Sequence, residues 1–470
     1  MTKQTPVLFN SALDIAIDTV KGLGTVCGDE IMLVRDLRGR IRVVVRGRYE
    51  ELLDNQKLAL RKCSQKLTEA LGAYGFPPDR AVLYVGDLEQ GEQVFVSSDR
   101  LFMAEEGGLK VWLLDRQIIG QDWVLAPIKR KTTNRRVTFF GIKGGVGRST
   151  ALAILAWQLA KKGKKVLVFD LDLESPGVSS TLLSKEYLPD YGIVDWFIED
   201  GVGQGNSIED AMIAPSPLAR DLQGEILIIP AYGRNTGDYM PKLARCYSEF
   251  SGNASKPWAE RLQQMVEQVE RKEEPDLVIL DSRAGLHDIA AVSVTRMNAD
   301  AFLFAVDSEQ TWRAYEFLFS HWRKYLPERE LLKFRHKLQI VAGMVPETGM
   351  KEYLKRFRER AWDLFRDHLY DKYDEYDEAE AQTDDAFSYD LSGEAPVHII
   401  IPGGVPEAFI YDLSTEDAPH YPFPVYWSRE LQEFDPLRNG VGVDERIVEA
   451  AMGSFMAKAE NMLFPREENV

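Results

Sequence analysis

Lys143-Gly144-Gly145-Val146-Gly147-Arg148-Ser149-Thr150 runs directly from an apolar stretch, Val137–Phe140, into an amphipathic one, Ala151–Lys161. Glycines without side chains let successive backbone N–H groups turn inward on a phosphate chain, and the N-terminus of the helix that follows adds partial positive charge. A glycine-rich loop alone is weak evidence. Strand, glycines, cation, hydroxyl and helix in that order are strong evidence. Gly144, Gly145, Val146, Gly147, Arg148, Ser149 and Thr150 are therefore expected to hold a phosphorylated ligand.

Outward from the loop, short and nearly continuous apolar runs alternate with helical segments: Val137–Phe140, Val166–Phe169, Ile226–Ile229, Leu277–Leu280, Ala301–Val306, Leu338–Val341 and Val397–Ile401. Strands buried on both faces of a parallel sheet read this way. The fold class expected is α/β, a doubly wound, mostly parallel sheet. The first 130 residues read differently. A helix near Ser11–Val20, a hairpin near Glu30–Arg46, a helix near Gln56–Ala73 and a short strand at Ala81–Val85 predict a small α+β domain. The basic run Lys129–Arg136 has no apolar period and reads as the linker, which sets domains at 1–130 and 131–470. Asp363–Glu394 carries twelve acidic residues against Arg366 and Lys372, with Tyr370, Tyr373, Tyr376 and Tyr389 interleaved, and is expected to be a mobile acidic surface insertion.

Two further stretches follow the loop. Val166–Asp172 is a buried-strand pattern ending in Asp170-Leu171-Asp172, and Leu277–Asp281 is another ending in a single aspartate before Ser282-Arg283-Ala284-Gly285. Carboxylates at the carboxyl ends of such strands emerge beside the loop, where hard oxygen ligands can meet Mg2+ and its waters. Gly285 supplies the backbone freedom that a switch segment needs.

The loop departs from the ordinary P-loop pattern GxxxxGK[ST] at two places: Ile142 stands for its first glycine and Arg148 for its lysine, while Lys143 opens the loop. In these features the chain resembles the deviant Walker A ATPases, the ParA/MinD-like branch of the SIMIBI-class P-loop NTPases, and within it the arginine-bearing KGGVGR subgroup. The resemblance covers about residues 136–463. It implies ATP and Mg2+ as cofactors and a nucleotide-dependent homodimer in which Lys143 reaches the partner's phosphates. It places Arg148 on the β/γ-phosphates, Thr150 on the α-phosphate, Ser149 on the ion, and Asp170 and Asp281 on the ion through water. Asp172 joins that metal set and orients or activates the attacking water, so Lys143, Arg148 and Asp172 are the implied catalytic residues. Pro402 resembles one edge of the base pocket, whereas Ala342-Gly343-Met344-Val345 lacks the asparagine that such proteins commonly place on adenine. Guanidinium and ammonium are not interchangeable at a phosphate site. Slow or partner-stimulated ATP hydrolysis is accordingly expected of a dimerising switch, with a bacterial conflict or phage-defence role suggested by the subgroup. Two alternatives stay open: a nucleotide-binding scaffold with little or no turnover, and a bacterial tyrosine-kinase-like protein that would use the tyrosine cluster. Against the latter, Glu174 stands where those kinases carry arginine, and their loop lacks the leading lysine.

The chain has 470 residues, 45% hydrophobic and 28% charged, which suits a folded protein of more than one core. Its net charge of −17 is uneven, since residues 1–135 hold 20 basic against 18 acidic residues. An acidic bulk opposes general binding to nucleic-acid backbones. Arg38, Arg40, Arg42, Arg46 and Arg48 share one parity, so a strand there would place them on one face, either solvated or a patch for nucleic acid or an acidic partner. The first 130 residues or the acidic insertion is the expected site of a protein partner. Cys27, Cys63 and Cys246 have no metal or disulfide spacing, and the histidines show no ligand pattern. No apolar run approaches the ~18 residues of a membrane helix, and a cytoplasmic location is expected. Asp444–Leu463 has one apolar helical stripe with an acidic opposite side, which favours packing on the sheet over a membrane surface.

Overall fold

The computed structural model describes residues 6–89, 91–97, 99–117, 120–247, 256–371, 409–432, 434–437 and 443–465. The chain divides into two compact units, residues 1–125 with 325–330, and residues 126–324 with 331–470.

In the first unit, strands β1 (Glu30–Arg35), β2 (Ile41–Val45), β3 (Val82–Tyr84), β4 (Arg100–Glu106) and β5 (Leu109–Asp115) form one sheet in the order β3-β2-β1-β5-β4. Helices Phe9–Lys21 and Asp54–Leu71 accompany it. Parallel register places Arg35 of β1 opposite Asp115 of β5, and the pair is buried, with Nε donating to Oδ1 at 2.8 Å. Of the arginines expected on one sheet face, only Arg42 lies within a strand, because the hairpin turn and the end of β2 interrupt the alternation. Arg40 and Arg42 lie over the Phe76 ring, Arg40 also bonds Asp36, and Arg46 pairs with Glu92 at 2.6 Å and Glu30 at 3.2 Å. Arg40 and Arg46 thus have carboxylate partners inside the unit, while Arg38 and Arg48 are exposed.

The second unit is built on β6 (Arg135–Gly141), β7 (Lys165–Asp170), β8 (Ala214–Pro215), β9 (Glu225–Ile229), β10 (Leu277–Asp281), β11 (Asp300–Ala305), β12 (Leu338–Val345) and β13 (Phe423–Tyr426). Among the described residues these form an eight-stranded sheet in the order β13-β12-β11-β6-β10-β7-β9-β8, parallel throughout except for the β8–β9 pair. The expected α/β class with a mostly parallel sheet is therefore what the chain forms. Six of the seven apolar runs fall on strands, and Val397–Ile401 lies outside the described residues. Two strands escaped sequence reading, β8 and β13. Both contain proline, which reads against a strand, and both are edge strands, where a missing N–H costs no ladder bond.

Alternation along the strands sorts the core into two layers. Val166, Val168, Ile226, Ile228, Leu277 and Ile279 face the helix Arg148–Lys161 and the terminal helix Glu445–Leu463. Leu167, Phe169, Leu227, Ile229, Val278 and Leu280 face the helix Trp258–Glu273. The terminal helix starts with the Asp444 side chain accepting from the Arg446 N–H, and its Phe455 ring meets Phe139, Phe302 and Phe304 of the sheet.

The basic run read as a linker is pinned within this unit. The Lys131 N–H donates to Glu267 at 2.7 Å, Thr132 bonds Glu270, and Asn134 donates to the Pro275 carbonyl at 2.8 Å. Arg136, fully buried, donates to both oxygens of Glu270 at 2.7 Å and to Gln263 at 2.8 Å. The absence of an apolar period gave no sign of these contacts. The buried carboxylates of the helix Trp258–Glu273 supply the partners.

Candidate nucleotide site

β6, β10 and β7 are adjacent and parallel, so their carboxyl ends open on one edge. β6 leads into the 143–150 loop, β10 ends in Asp281 and β7 ends in Asp170, with Asp281 and Asp170 directly opposed in register. This is where open α/β sheets place ligands. The helix Arg148–Lys161 begins at the loop itself, with the Ala151 N–H bonded to the Gly147 carbonyl at 2.9 Å. Gly145 and Gly147 take φ of 72° and 82°, conformations that favour glycine.

Arg148 and the carboxylates form one buried cluster. The Arg148 guanidinium donates through Nε to Asp281 at 2.9 Å and through Nη2 to Asp172 at 3.2 Å, while its buried Nη1 has no partner among the described residues. Ser149 Oγ donates to the second Asp281 oxygen at 3.0 Å. Asp170 sits apart from the arginine and accepts from the Ser179 N–H at 3.0 Å, from Ser179 Oγ at 2.5 Å and from the Asp172 N–H at 3.2 Å. Asp172 also accepts from Ser175 Oγ at 3.2 Å. Lys143, half-buried, lies 3.3 Å from Ser308 Oγ. Gly144 and Gly145 are exposed, Val146 is buried and Thr150 is half-buried.

Burial raises Asp170 to about 7, assisted by the negative charge of Asp281 and opposed by the Ser179 bonds. Asp281 is likewise raised by burial, against the pull of Arg148 and Ser149. Burial disfavours the charge of Arg148, yet Asp281 and Asp172 outweigh it and the guanidinium is held in its charged form.

Several positions carry weight that spacing did not reveal. Ser179 lies nine residues beyond Asp170, and no short motif links it to that carboxylate. Gly343, in the segment remarked on for lacking asparagine, is a close-approach position: a Cβ there would stand 2.4 Å from the Val146 carbonyl oxygen. Met344 has a positive φ of 54°, and with Val425 of β13 it lies against Gly147. Arg283 and Glu174, far apart in sequence, meet at 2.6 Å, with the Tyr247 hydroxyl donating to the same Glu174 oxygen at 2.8 Å. Gly285 donates its N–H to the Gly141 carbonyl at 3.0 Å, which ties the segment after β10 to the start of the loop. His287 starts the short helix after that segment. Tyr370, the first of the expected tyrosine cluster, is buried against His420, its hydroxyl 2.5 Å from Nδ1. Pro402, Tyr373, Tyr376, Tyr389 and most of the acidic insertion lie outside the described residues. Among the described residues no cluster of His, Cys, Asp and Glu forms a ready metal cage, and no helix is long and apolar enough to cross a membrane.

A parallel sheet whose central strand runs through a glycine loop into a helix, with aspartates ending the next two strands, defines a P-loop nucleotide-binding domain. Residues 137–319 match the CobQ/CobB/MinD/ParA nucleotide binding domain.

An uncharacterized ATP-binding protein of Methanocaldococcus jannaschii is 32% identical over 104 residues, 22% of this chain and 34% of that protein. The chain thus spans about a third of the length of this curated relative. Among solved structures, pNOB8 ParA aligns with 70% of this chain and 90% of its own at 16% identity and a TM-score of 0.37. A plasmid partition protein of Borrelia burgdorferi aligns over 48% and 86% at 16% identity and a TM-score of 0.32. Cobyrinic acid a,c-diamide synthase of Mycobacterium smegmatis, with bound ADP and magnesium, aligns over 48% and 82% at 16% identity and a TM-score of 0.35.

Proposed function

We propose that the second unit is an ATP-dependent molecular switch of the arginine-bearing KGGVGR type, which binds ATP with Mg2+, closes a homodimer and reopens on slow or partner-stimulated hydrolysis. The observation that carries this reading is the convergence of the 143–150 loop with Asp170, Asp172 and Asp281 at adjacent strand ends. Phosphoryl transfer needs positioned charge more than covalent chemistry, and this edge of the sheet collects both signs.

The donors present fit Mg2+: Ser149 and Asp281 already share a hydrogen bond, Asp170 lies opposite Asp281 in register, and all offer hard oxygens. Asp170, Asp281 and Ser149 would hold the ion, directly or through water, and the ion would supply positive charge against the phosphates. The loop N–H groups bind and orient the phosphate chain. Arg148 neutralises the β/γ-phosphates, Thr150 meets the α-phosphate, Asp172 orients the attacking water, and Lys143 serves the partner's nucleotide.

Calorimetry with ATP and with GTP tests the binding: heat from ATP supports the reading, and no heat from either nucleotide overturns it. Sizing the protein with and without ATP and Mg2+ tests the dimer, which should appear for wild type and fail for Lys143→Ala.

A second reading, a nucleotide-binding scaffold without turnover, is favoured by one contact: Arg148 holds Asp172, the residue assigned to the water, at 3.2 Å. Single-turnover phosphate release from wild type that is abolished in Asp172→Ala selects the switch. Binding without release selects the scaffold. The biological role we attach, on the KGGVGR resemblance alone, is in a bacterial conflict or phage-defence system in the cytoplasm. A partner would be met through the first unit or the acidic insertion.

A further inference from the structure

The second unit contains a second concentration of positive charge that the nucleotide reading leaves unused. A cleft of about 360 Å³ lies between the helix Met350–His368, the β13 segment and the terminal helix Glu445–Leu463. Lys351, Lys355, Arg358 and Lys458 line it, against one carboxylate in the lining, Glu416. The volume falls within the range of about 300–1,000 Å³ typical of small-molecule sites.

Most of these cations have no close counter-charge. Among the described residues Lys351, Arg358 and Lys458 have no carboxylate within ion-pair distance, and Lys355 reaches only Glu359, at 4.0 Å. The Tyr421 ring, which also lines the cleft, carries Arg358 at 5.2 Å and Lys458 at 4.8 Å from its centroid. An aromatic face holds a cation in place without cancelling its charge. The buried Nε of Arg358 has no hydrogen-bond acceptor among the described residues, an unmet donor that costs free energy. Four like charges gathered in one recess repel each other unless an anion joins them, and they do so in a chain whose net charge is −17.

We propose that this cleft binds a small phosphorylated anion at a site separate from the 143–150 loop. Arginine and lysine side chains are the usual phosphate partners, Arg358 through its fork and the lysines as point charges. Tracking a nucleic-acid backbone would need cations strung along a surface. Here they converge on one recess.

The test is calorimetric titration of the full chain with inorganic pyrophosphate in the absence of Mg2+. A Gly147→Ala background, with the loop impaired, separates the two sites. Circular dichroism and thermal melting verify that each variant is folded. Pyrophosphate should bind in that background and bind at least tenfold more weakly once Arg358→Gln and Lys458→Gln are added. Lys351→Gln with Lys355→Gln, both at exposed positions, should weaken it in the same direction. Pyrophosphate binding that ignores all four substitutions, or no binding in the Gly147→Ala background, overturns the proposal. So does retention of duplex DNA that depends on these four residues while pyrophosphate binding does not. Absence of ATP heat from the wild-type protein would instead mark failure of the nucleotide reading, since the cleft is tested in the Gly147→Ala background.

Discussion

Arg148 is the residue on which the site turns. It is 8% exposed, fastened to Asp172 and Asp281, and neutralises a cluster that would otherwise bury unpaired negative charge. Replacing it by alanine should cost about 3–5 kcal/mol of stability, the usual result of removing one partner of a buried pair. Urea unfolding of Arg148→Ala measures this, and an unchanged midpoint would show that the pair contributes nothing. Asp170 provides a pH signature. Its value, about 7 in the fold against an ordinary 3.8, is raised. The folded state therefore binds the proton more tightly: the stabilisation is complete below about pH 4 and is lost as pH rises through about 7. Wild-type stability without Mg2+ should fall across that window and Asp170→Asn should show a flatter profile. Parallel profiles for the two proteins would contradict the assignment.

At the scale of elements, the loop is held by its neighbours as much as by its own glycines. β12 approaches so closely that Gly343 cannot carry a side chain without moving the Val146 carbonyl. Gly343→Ala should displace the loop and weaken ATP binding at least tenfold while the far-ultraviolet dichroism stays native. Wild-type affinity in that variant would mean that the contact yields freely. The loop and the aspartates were legible in sequence because each is a local pattern, glycines for turning and a carboxylate ending an apolar run. Ser179, Gly343 and the Arg283–Glu174 pair were not, because each works through a neighbour distant along the chain. β13 was hidden by its proline, Pro424, which an edge position permits. The partners of the Lys129–Arg136 run, Glu267 and Glu270, were not legible because they lie on a helix more than a hundred residues later.

For the molecule as a whole, the terminal helix Glu445–Leu463 closes one face of the sheet, far in sequence from the loop whose helix it accompanies. Its Phe455 is fully buried among three sheet phenylalanines. Phe455→Ala should therefore cost about 3–5 kcal/mol, read from denaturant unfolding, with a change below 1 kcal/mol indicating that the helix is dispensable. By itself the sequence determined the α/β class, the parallel strands through β6, β7, β9, β10, β11 and β12, and the glycine loop of residues 143–150 between strand and helix. These follow from side-chain periodicity and backbone freedom, which are properties of short segments. Tertiary structure alone decided that Asp170 and Asp281 oppose each other, that Arg148 is claimed by Asp172 and Asp281, and that four cations meet in one cleft. Those are facts of strand order and helix placement, and the electrostatic energies they set depend on distances that no local pattern encodes.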